Sequence, residues 1–482
     1  MALPRSVLAF ALAACATALP PPATGQDADL HAKVDALFAP WTRSDMPGCA
    51  LSVTRDGQVV YENGYGMADL EQGTAIQPST VFNIASLSKQ FTTTAIALLE
   101  QDGKLSLDDD IHKYVPEVPD YGHTITLRQL ANHTSGLRDY PELLALGGWN
   151  WVDEVVESRI LDVIARQKRL NFNPGQQYLY NNSGYLLLTM TLQRITGQSL
   201  GDFARERIFQ PLGMLHTRFY DDRTMIMKQR AIGYQNREDG SLGTWRPTYE
   251  IVGDGGVLTT VQDLALWERN FLQPRLGRDP QALLATLLRQ GVLNDGKRID
   301  YALGLIRSSY RGLQTVSHSG GIPGYGTNML RFPAQRLAVF VLCNQGGAPA
   351  TQLTQAVADL YLDGQLTEGD PTPAPQRAAG RDGDGDRQTA PRVLETAAAE
   401  YAGVYYSEEL DAEHRFSAGK QGLTSQVGHL PVNVWRTSGK DRFELEGRKS
   451  LTVQFSRDAQ GRITGYILET ARVKGLGFVR KD

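Results

Sequence analysis

Only three cysteines, Cys15, Cys49 and Cys343, occur in the 482-residue chain. That is too few for a zinc site built on thiolates. The eight histidines show neither H-x-x-x-H nor H-E-x-x-H spacing, so neither a metal nor another cofactor is expected. A formal net charge of -4 offers no basic surface, which argues against nucleic acid as a partner. No apolar run beyond the N-terminus is long enough to span a bilayer. With 41% hydrophobic residues, the chain can still build one large domain and a smaller one, each with its own core.

The N-terminus reads as an export signal over residues 1–25. Arg5 supplies a positive start, residues 7–14 (VLAFALAA) a short apolar stretch, and Ala23-Thr24-Gly25 small residues for cleavage. A second reading stands beside it. Leu12-Ala13-Ala14-Cys15 resembles a lipobox, which would lipidate Cys15 and give the protein its one membrane contact. Both readings put the mature protein outside the cytoplasm, periplasmic or secreted, where disulfides form. The sequence fixes no oligomeric state.

Residues 26–366 read as one α+β domain. Asp27 is placed to cap a helix with Leu30, Val34, Leu37 and Phe38 on one face. Strands are expected at 50–53 and 59–61, joined by Arg55-Asp56-Gly57. A helix is expected from Ser86 to Gln101, ending at Asp102-Gly103. Residues 105–270 read mostly as helices and loops. Strands return at 314–317, 327–332 and 337–342, which suggests one sheet closed by both ends of the domain.

Residues 367–392 form a linker rich in Pro, Gly and mixed charge. Asp382, Asp384 and Asp386 mimic the opening of a calcium loop, but Val393 stands where its closing acid belongs. Residues 393–482 carry short β-like runs at 403–406, 432–435, 443–445, 451–455, 463–468 and 477–479. That rhythm fits a small antiparallel barrel. No catalytic cluster is evident in it.

A serine hydroxyl is a poor nucleophile until a neighbour takes its proton. Gly197-Gln198-Ser199-Leu200-Gly201 matches the nucleophile elbow G-x-S-x-G. An elbow needs a strand before its serine. Here residues 185–195 read as a buried helix that Gly197 ends, with Ser199 capping the next helix. S-x-x-K occurs at Ser86–Lys89 and at Ser417–Lys420. The second contains Gly419 and lies among β-like runs, so its spacing would not hold the two groups together. The first begins a helix, where residues three apart share a face and free N–H groups suit an oxyanion. Alone, that pattern also fits a capping serine and a surface lysine.

The company of Ser86 is more specific. Phe82-Asn83-Ile84-Ala85-Ser86-Leu87-Ser88-Lys89 is followed by Leu130-Ala131-Asn132-His133-Thr134-Ser135-Gly136-Leu137. Pro174-Gly175 leads to Tyr180-Asn181-Asn182. Pro211-Leu212-Gly213-Met214, Gly255-Gly256 and His318-Ser319-Gly320-Gly321 complete the series. From about Lys33 to Tyr361, the chain resembles the serine β-lactamase and penicillin-binding family. The likeness is to its class C-like branch of D-aminopeptidases, D-alanyl carboxypeptidases and esterases.

That resemblance implies a β-lactamase/transpeptidase-like domain: an antiparallel sheet flanked by helices, plus an all-helical region. It implies an acyl-enzyme on Ser86, with Lys89 and Tyr180 sharing the base role and the choice between them open. Asn182 would orient the substrate. The backbone N–H groups of Ser86 and Gly321 would hold the oxyanion, and His318, Ser319, Gly320 and Gly321 would line the substrate-binding strand. The substrate would be a small molecule or peptide with an ester or amide bond. Relatives usually carry lysine where His318 stands, so a weak β-lactamase is expected, and His318 would act as a free neutral imidazole. His133 would be a packed or capping residue. The family's neighbouring strands would pair Cys49 with Cys343 in a disulfide. Trp149 and Trp151, flanked by Gly147 and Gly148, are expected to line or cover the pocket. Residues 393–482 resemble the lipocalin-like barrels that follow some of these hydrolases. A non-catalytic binding protein of the same fold would be marked by loss of Ser86, Lys89 or Tyr180; all three are present.

Overall fold

The computed structural model describes residues 25–151, 153–237, 239–245, 250–367 and 395–481. The export signal, Cys15, the aspartates at 382, 384 and 386, and nearly all of the linker lie outside the described residues.

Strands from both ends of the first domain build its main sheet. Its order is Ile306–Tyr310, Leu313–Ile322, Tyr325–Phe332, Leu337–Cys343, Cys49–Arg55 and Gln58–Tyr65, antiparallel throughout. The strand Leu337–Cys343 reads as a continuous apolar run because both of its faces are covered. Leu51, Val53, Val339 and Val341 face one layer, where Val34, Phe38, Leu353 and Val357 pack from the helices at the domain's two ends and the turn after the first. Ala50, Ala338, Phe340 and Leu342 face the other, against the helices Lys89–Gln101 and Val261–Leu272. Period-two alternation assigns each residue its layer. The first helix spans Gly25–Leu37, so Asp27 lies in its first turn rather than at its cap.

Between the two halves of the sheet lies the helical region, including Ser183–Thr196. Gly197 ends that helix at φ 70°, a left-handed conformation glycine adopts without strain. Ser199 then caps Leu200–Ala204 by accepting from Asp202 N. A helix therefore precedes Ser199, which rules out the nucleophile elbow. Short strands such as Val257–Thr259 interrupt this region; at two to four residues they are too brief for an alternation to stand out.

Eight strands from Gly403–Ser407 to Leu476–Lys481 close into an antiparallel barrel. Tyr405, Phe416, Trp435, Phe443, Phe455, Tyr466 and Phe478 are all buried, and Tyr466 stacks on Phe478 with centroids 4.5 Å apart. Aromatic rings fill the barrel, so it is a packed core rather than a ligand cup. The strands Ala412–Gly419 and Gly422–Val427 gave no apolar run. Along the first, Glu413, Arg415 and Ser417 alternate with the few inward residues.

The barrel docks on the hydrolase domain through buried polar contacts. Arg138 Nη1 donates to Glu409 Oε2 at 2.6 Å, and Gln167 Nε2 donates to the Glu409 carbonyl at 3.1 Å. The Leu146 carbonyl bonds His414 Nε2 at 2.7 Å. Trp149 and Trp151 meet at this junction, ring centroids 5.0 Å apart. Trp149 lines a cavity with Leu143, Leu144, Val155, Val163 and the barrel's Leu410. None of Ser86, Lys89, Tyr180, Asn182 or His318 reaches that cavity. For Trp149 the expected pocket role gives way to packing, because the glycines before it let the barrel approach, while Trp151 stays exposed. A Cβ on Gly148 would meet Val427 at 3.3 Å.

Cys49 and Cys343 are register partners on adjacent antiparallel strands and are joined by a disulfide. The bridge closes a loop across nearly the whole hydrolase domain, with a sequence separation of 294. Intact mass of the denatured protein should rise by about 2 Da on reduction, and reduction should lower stability by about 2–4 kcal/mol in denaturant titrations. Two free thiols before reduction would contradict the bridge.

Candidate active site

The segment that carries Ser86 is fixed before its helix begins. The strand Phe82–Asn83 pairs with Val257–Thr259. Asn83 Oδ1 then accepts from Ala85 N at 2.9 Å, and Ala85 takes a left-handed φ of 48°. Such a conformation is strained for a residue with a Cβ, and strain of this kind gathers at functional sites. Residues Ala85–Ser88 form a 3₁₀ turn, and the α-helix proper starts at Lys89. The expected helix start at Ser86 was thus a few residues early. The pairing survives because residues three apart eclipse in a 3₁₀ turn. Lys89 Nζ lies 3.2 Å from Ser86 Oγ.

Lys89 is fully buried. Its Nζ also donates to Asn182 Oδ1 at 2.9 Å and to the Asp254 carbonyl at 2.5 Å. Burial lowers its pKa to about 8, although the nearby Asp254 and Asp139 pull the other way. Aromatic rings complete the dry wall: Nζ is 4.9 Å from the Tyr180 centroid and 5.1 Å from that of Tyr185.

Tyr180 sits beside Ser86 with its hydroxyl buried and, the Ser86 side chain apart, without a hydrogen-bond partner among the described residues. Burial pushes that phenol up, while the Ser86 hydroxyl and the Arg472 guanidinium draw it partly back. Asn182 is held on both sides. Its side chain accepts from Lys89, its N–H donates to Asp139 Oδ1 at 2.7 Å, and its Nδ2 to Asp139 Oδ2 at 3.4 Å. An Asn182 side chain so engaged serves Lys89 and Asp139 first.

The strand Leu313–Ile322 brings the last motif alongside. A Cβ on Gly320 would fall 2.3 Å from the Ile84 carbonyl and 2.4 Å from Thr327 Oγ1. Only glycine lets this strand lie so close to the Ser86 turn. Gly321 beside it is exposed, with nothing within 4 Å of where a Cβ would stand. Ser319 pairs with Asn328 across the sheet, and its carbonyl accepts from His318 Nδ1 at 2.6 Å.

His318 departs from the expectation of a free imidazole that binds substrate. The Ser319 carbonyl can only accept, so Nδ1 carries the proton. Nε2 must then accept from Tyr301 OH, 2.9 Å away. Both ring nitrogens are committed inside the protein, and burial lowers the His318 pKa to about 3. His133 is buried too. Its Nδ1 accepts from Asn181 N at 3.1 Å, and its ring packs 4.3 Å from Tyr180.

Three residues around the site were not singled out from sequence. Asp254 directly precedes the Gly255-Gly256 marker, and that adjacency could have found it. Asp139 lies two residues past Leu137, at the end of the second marker. Arg472 comes from the barrel, and no local pattern links it to the rest.

The Beta-lactamase family model matches residues 32–362. The chain belongs to the Beta-lactamase family. It is a serine hydrolase. Penicillin-binding protein 4* of Bacillus subtilis is 29% identical over 83% of this chain and 88% of its own length. A D-aminopeptidase of Gluconobacter oxydans is 30% identical over 69% of this chain, but only 61% of that protein is covered. A D-aminopeptidase of Cereibacter sphaeroides is 26% identical over 90% of this chain and 96% of its own length. Among solved structures, the octameric penicillin-binding protein homologue from Pyrococcus abyssi superposes with a TM-score of 0.62 at 23% identity, covering 94% of this chain and 99% of that one. The D-amino acid amidase from Ochrobactrum anthropi SV3 gives 0.58 at 23% identity over 69% and 98%. These structural likenesses bear on the fold.

The environment of His318 in this serine hydrolase generates a direct check. An imidazole with a pKa near 3 stays neutral throughout ordinary working conditions. Histidine ring NMR should show one fixed His318 tautomer from pH 5.5 to 8. A midpoint near 6.5 for that ring would contradict the locked arrangement.

Proposed function

We propose that this serine hydrolase is an exported amidase that acts through an acyl-enzyme on Ser86, with Lys89 as its base and amides or esters of D-amino acids as its substrates. The hydrogen bonds of Lys89 Nζ carry the assignment of the base. Two of its N–H bonds are committed to Asn182 Oδ1 and the Asp254 carbonyl, both acceptors only. The remaining position faces Ser86 Oγ. On the neutral amine that position is a lone pair, and the Ser86 hydroxyl donates to it. With a pKa of about 8, a useful share of Lys89 is neutral near neutral pH.

The steps follow from that geometry. Ser86 Oγ passes its proton to Lys89 Nζ and attacks the substrate carbonyl carbon. The oxyanion forms toward the Ser86 and Gly321 N–H groups, where Gly320 allows the close approach and Gly321 leaves open space. The C–N or C–O bond breaks as Lys89 returns the proton to the leaving group. The Tyr180 hydroxyl, beside Ser86, is available to hydrogen-bond that departing atom. Water then gives a proton to Lys89, attacks the ester and releases the acid, and Ser86 Oγ regains its proton.

The substrate class rests on the D-aminopeptidase relatives and on His318. A locked, neutral imidazole supplies no charge for a substrate carboxylate. Losing one charge-assisted hydrogen bond removes roughly 1.5–3 kcal/mol of recognition. Asp139 already neutralises Arg472, the other fixed cation at hand. Substrates without a free carboxylate are favoured, and β-lactams are disfavoured. Export is supported by the signal-like residues 1–25 and by the Cys49–Cys343 bridge, which suits an oxidising compartment.

Two measurements test the reading. A fluorescent phosphonate should label Ser86, and Ser86→Ala should lose several orders of magnitude in kcat/KM; an Ala variant that labels and turns over normally sinks the nucleophile. For the wild type, D-amino-acid p-nitroanilides should be cleaved far faster than nitrocefin, with kcat/KM rising with pH through a midpoint near 8 as Lys89 loses its proton. Faster nitrocefin hydrolysis would sink the substrate class, and a flat profile from pH 6 to 9.5 would sink the base.

A further inference from the structure

We propose that Arg472, from the C-terminal barrel, is a positioning residue for the Ser86 site: its guanidinium holds Asp139 against Asn182 and lies on the Tyr180 ring. The inference rests on the reading of Lys89 as base. It makes the barrel a working part of the hydrolase rather than an appendage.

Arg472 sits in the turn between the barrel strands Ile463–Glu469 and Leu476–Lys481. Partners on the hydrolase domain clamp that turn from several directions. Asn171 Nδ2 donates to the Arg472 carbonyl at 2.8 Å, and Asn171 Oδ1 accepts from Lys474 N at 2.8 Å. Arg138 Nη2 donates to the Lys474 carbonyl at 2.6 Å. Glu142 accepts from Thr470 Oγ1 and from Arg448. The turn is therefore held in one place, and Arg472 is aimed inward rather than left on the surface. Its side chain is 16% exposed and that of its partner Asp139 is 1% exposed.

From there a continuous chain of contacts runs to the serine. Arg472 Nη1 pairs with Asp139 Oδ2 at 3.2 Å. Asp139 accepts from both nitrogens of Asn182, which orients Asn182 Oδ1 toward Lys89 Nζ, and Lys89 faces Ser86. The guanidinium carbon also lies 4.9 Å from the Tyr180 centroid, the same distance as Lys89 Nζ. Removing Arg472 would leave Asp139 as a buried, unpaired carboxylate, free to swing from Asn182.

The charges around Lys89 and Tyr180 oppose one another. Arg472 disfavours protonated Lys89 and favours ionised Tyr180; Asp139 and Asp254 act in the reverse direction on both. His133 and His318 face the same space and are held neutral by burial. Tyr178, Tyr185 and Tyr301 are held protonated by burial. Burial is the main reason Lys89 deprotonates near neutrality, and Arg472 is the fixed cation that adds to it against the pull of the two carboxylates.

Opposite charge changes at the two ends of the pair test this in the full-length protein, through the pH profile of kcat/KM. Arg472→Met should move the rising limb to higher pH, costing severalfold in kcat/KM at pH 7 and much less at pH 9.5. Asp139→Asn removes the opposing charge and should move the limb to lower pH. A purely structural role predicts equal losses at every pH, with the limb unmoved. Shifts in opposite directions support the inference, and either variant alone is informative if the other fails to fold. Limbs that stay in place, or both move the same way, overturn it and leave the Lys89 base standing. A wild-type profile without a limb near pH 8 overturns the Lys89 reading and this inference with it.

Discussion

A primary amine buried out of reach of water is costly to keep charged, and the site of this protein is organised around that cost. Lys89 has no exposed surface. It remains tolerable only because Asn182 and the Asp254 carbonyl take up its donors and two carboxylates lie near enough to favour its charge. Tyr180 and Tyr185 exclude water without contributing charge of their own. The balance leaves the amine between its two states rather than fixed in one. Loosening any wall of the pocket would return Lys89 toward an ordinary, fully protonated lysine.

The same dryness explains neighbours that have no direct role in bond breaking. A histidine in such a pocket would also be costly as a cation, and His318 and His133 avoid this by staying neutral. His318 goes further and spends both nitrogens on Ser319 and Tyr301. The third motif therefore contributes the shape of its strand, through Gly320 and Gly321, more than charge. The barrel adds a permanent cation beside Tyr180. Its aromatic-filled interior makes it a rigid mount for that turn. Buried pairs such as Arg138 with Glu409 fix its orientation on the hydrolase domain.

Much of this was legible in the sequence wherever function depends on local spacing. Ser86 and Lys89 are three residues apart, and a single turn joins them whether it is α or 3₁₀. Gly197 and Ser199 announce a helix end and a cap, which removed Ser199 as a nucleophile. The alternating and continuous apolar runs at 50–53 and 337–342 identified strands covered on both faces. The barrel's rhythm was visible, but the strands Ala412–Gly419 and Gly422–Val427 were not. Along the first, few residues face inward, and along the second the inward positions include Gly422 and Ser425, so neither leaves an apolar run.

What only the tertiary structure decided are the contacts between segments far apart in the chain. Arg472 and Asp139 are separated by more than three hundred positions, and neither has a local motif, since an arginine in a turn reads as solvated. The use to which His318 puts its nitrogens depends on Tyr301, which comes from another segment. The place of Trp149 depends on where the barrel lands. The sequence by itself determined which groups could react and how they are spaced along one turn. The pKa of those groups, and the partners that hold them, follow from desolvation and Coulomb interactions, which depend on distance in space and not on distance along the chain.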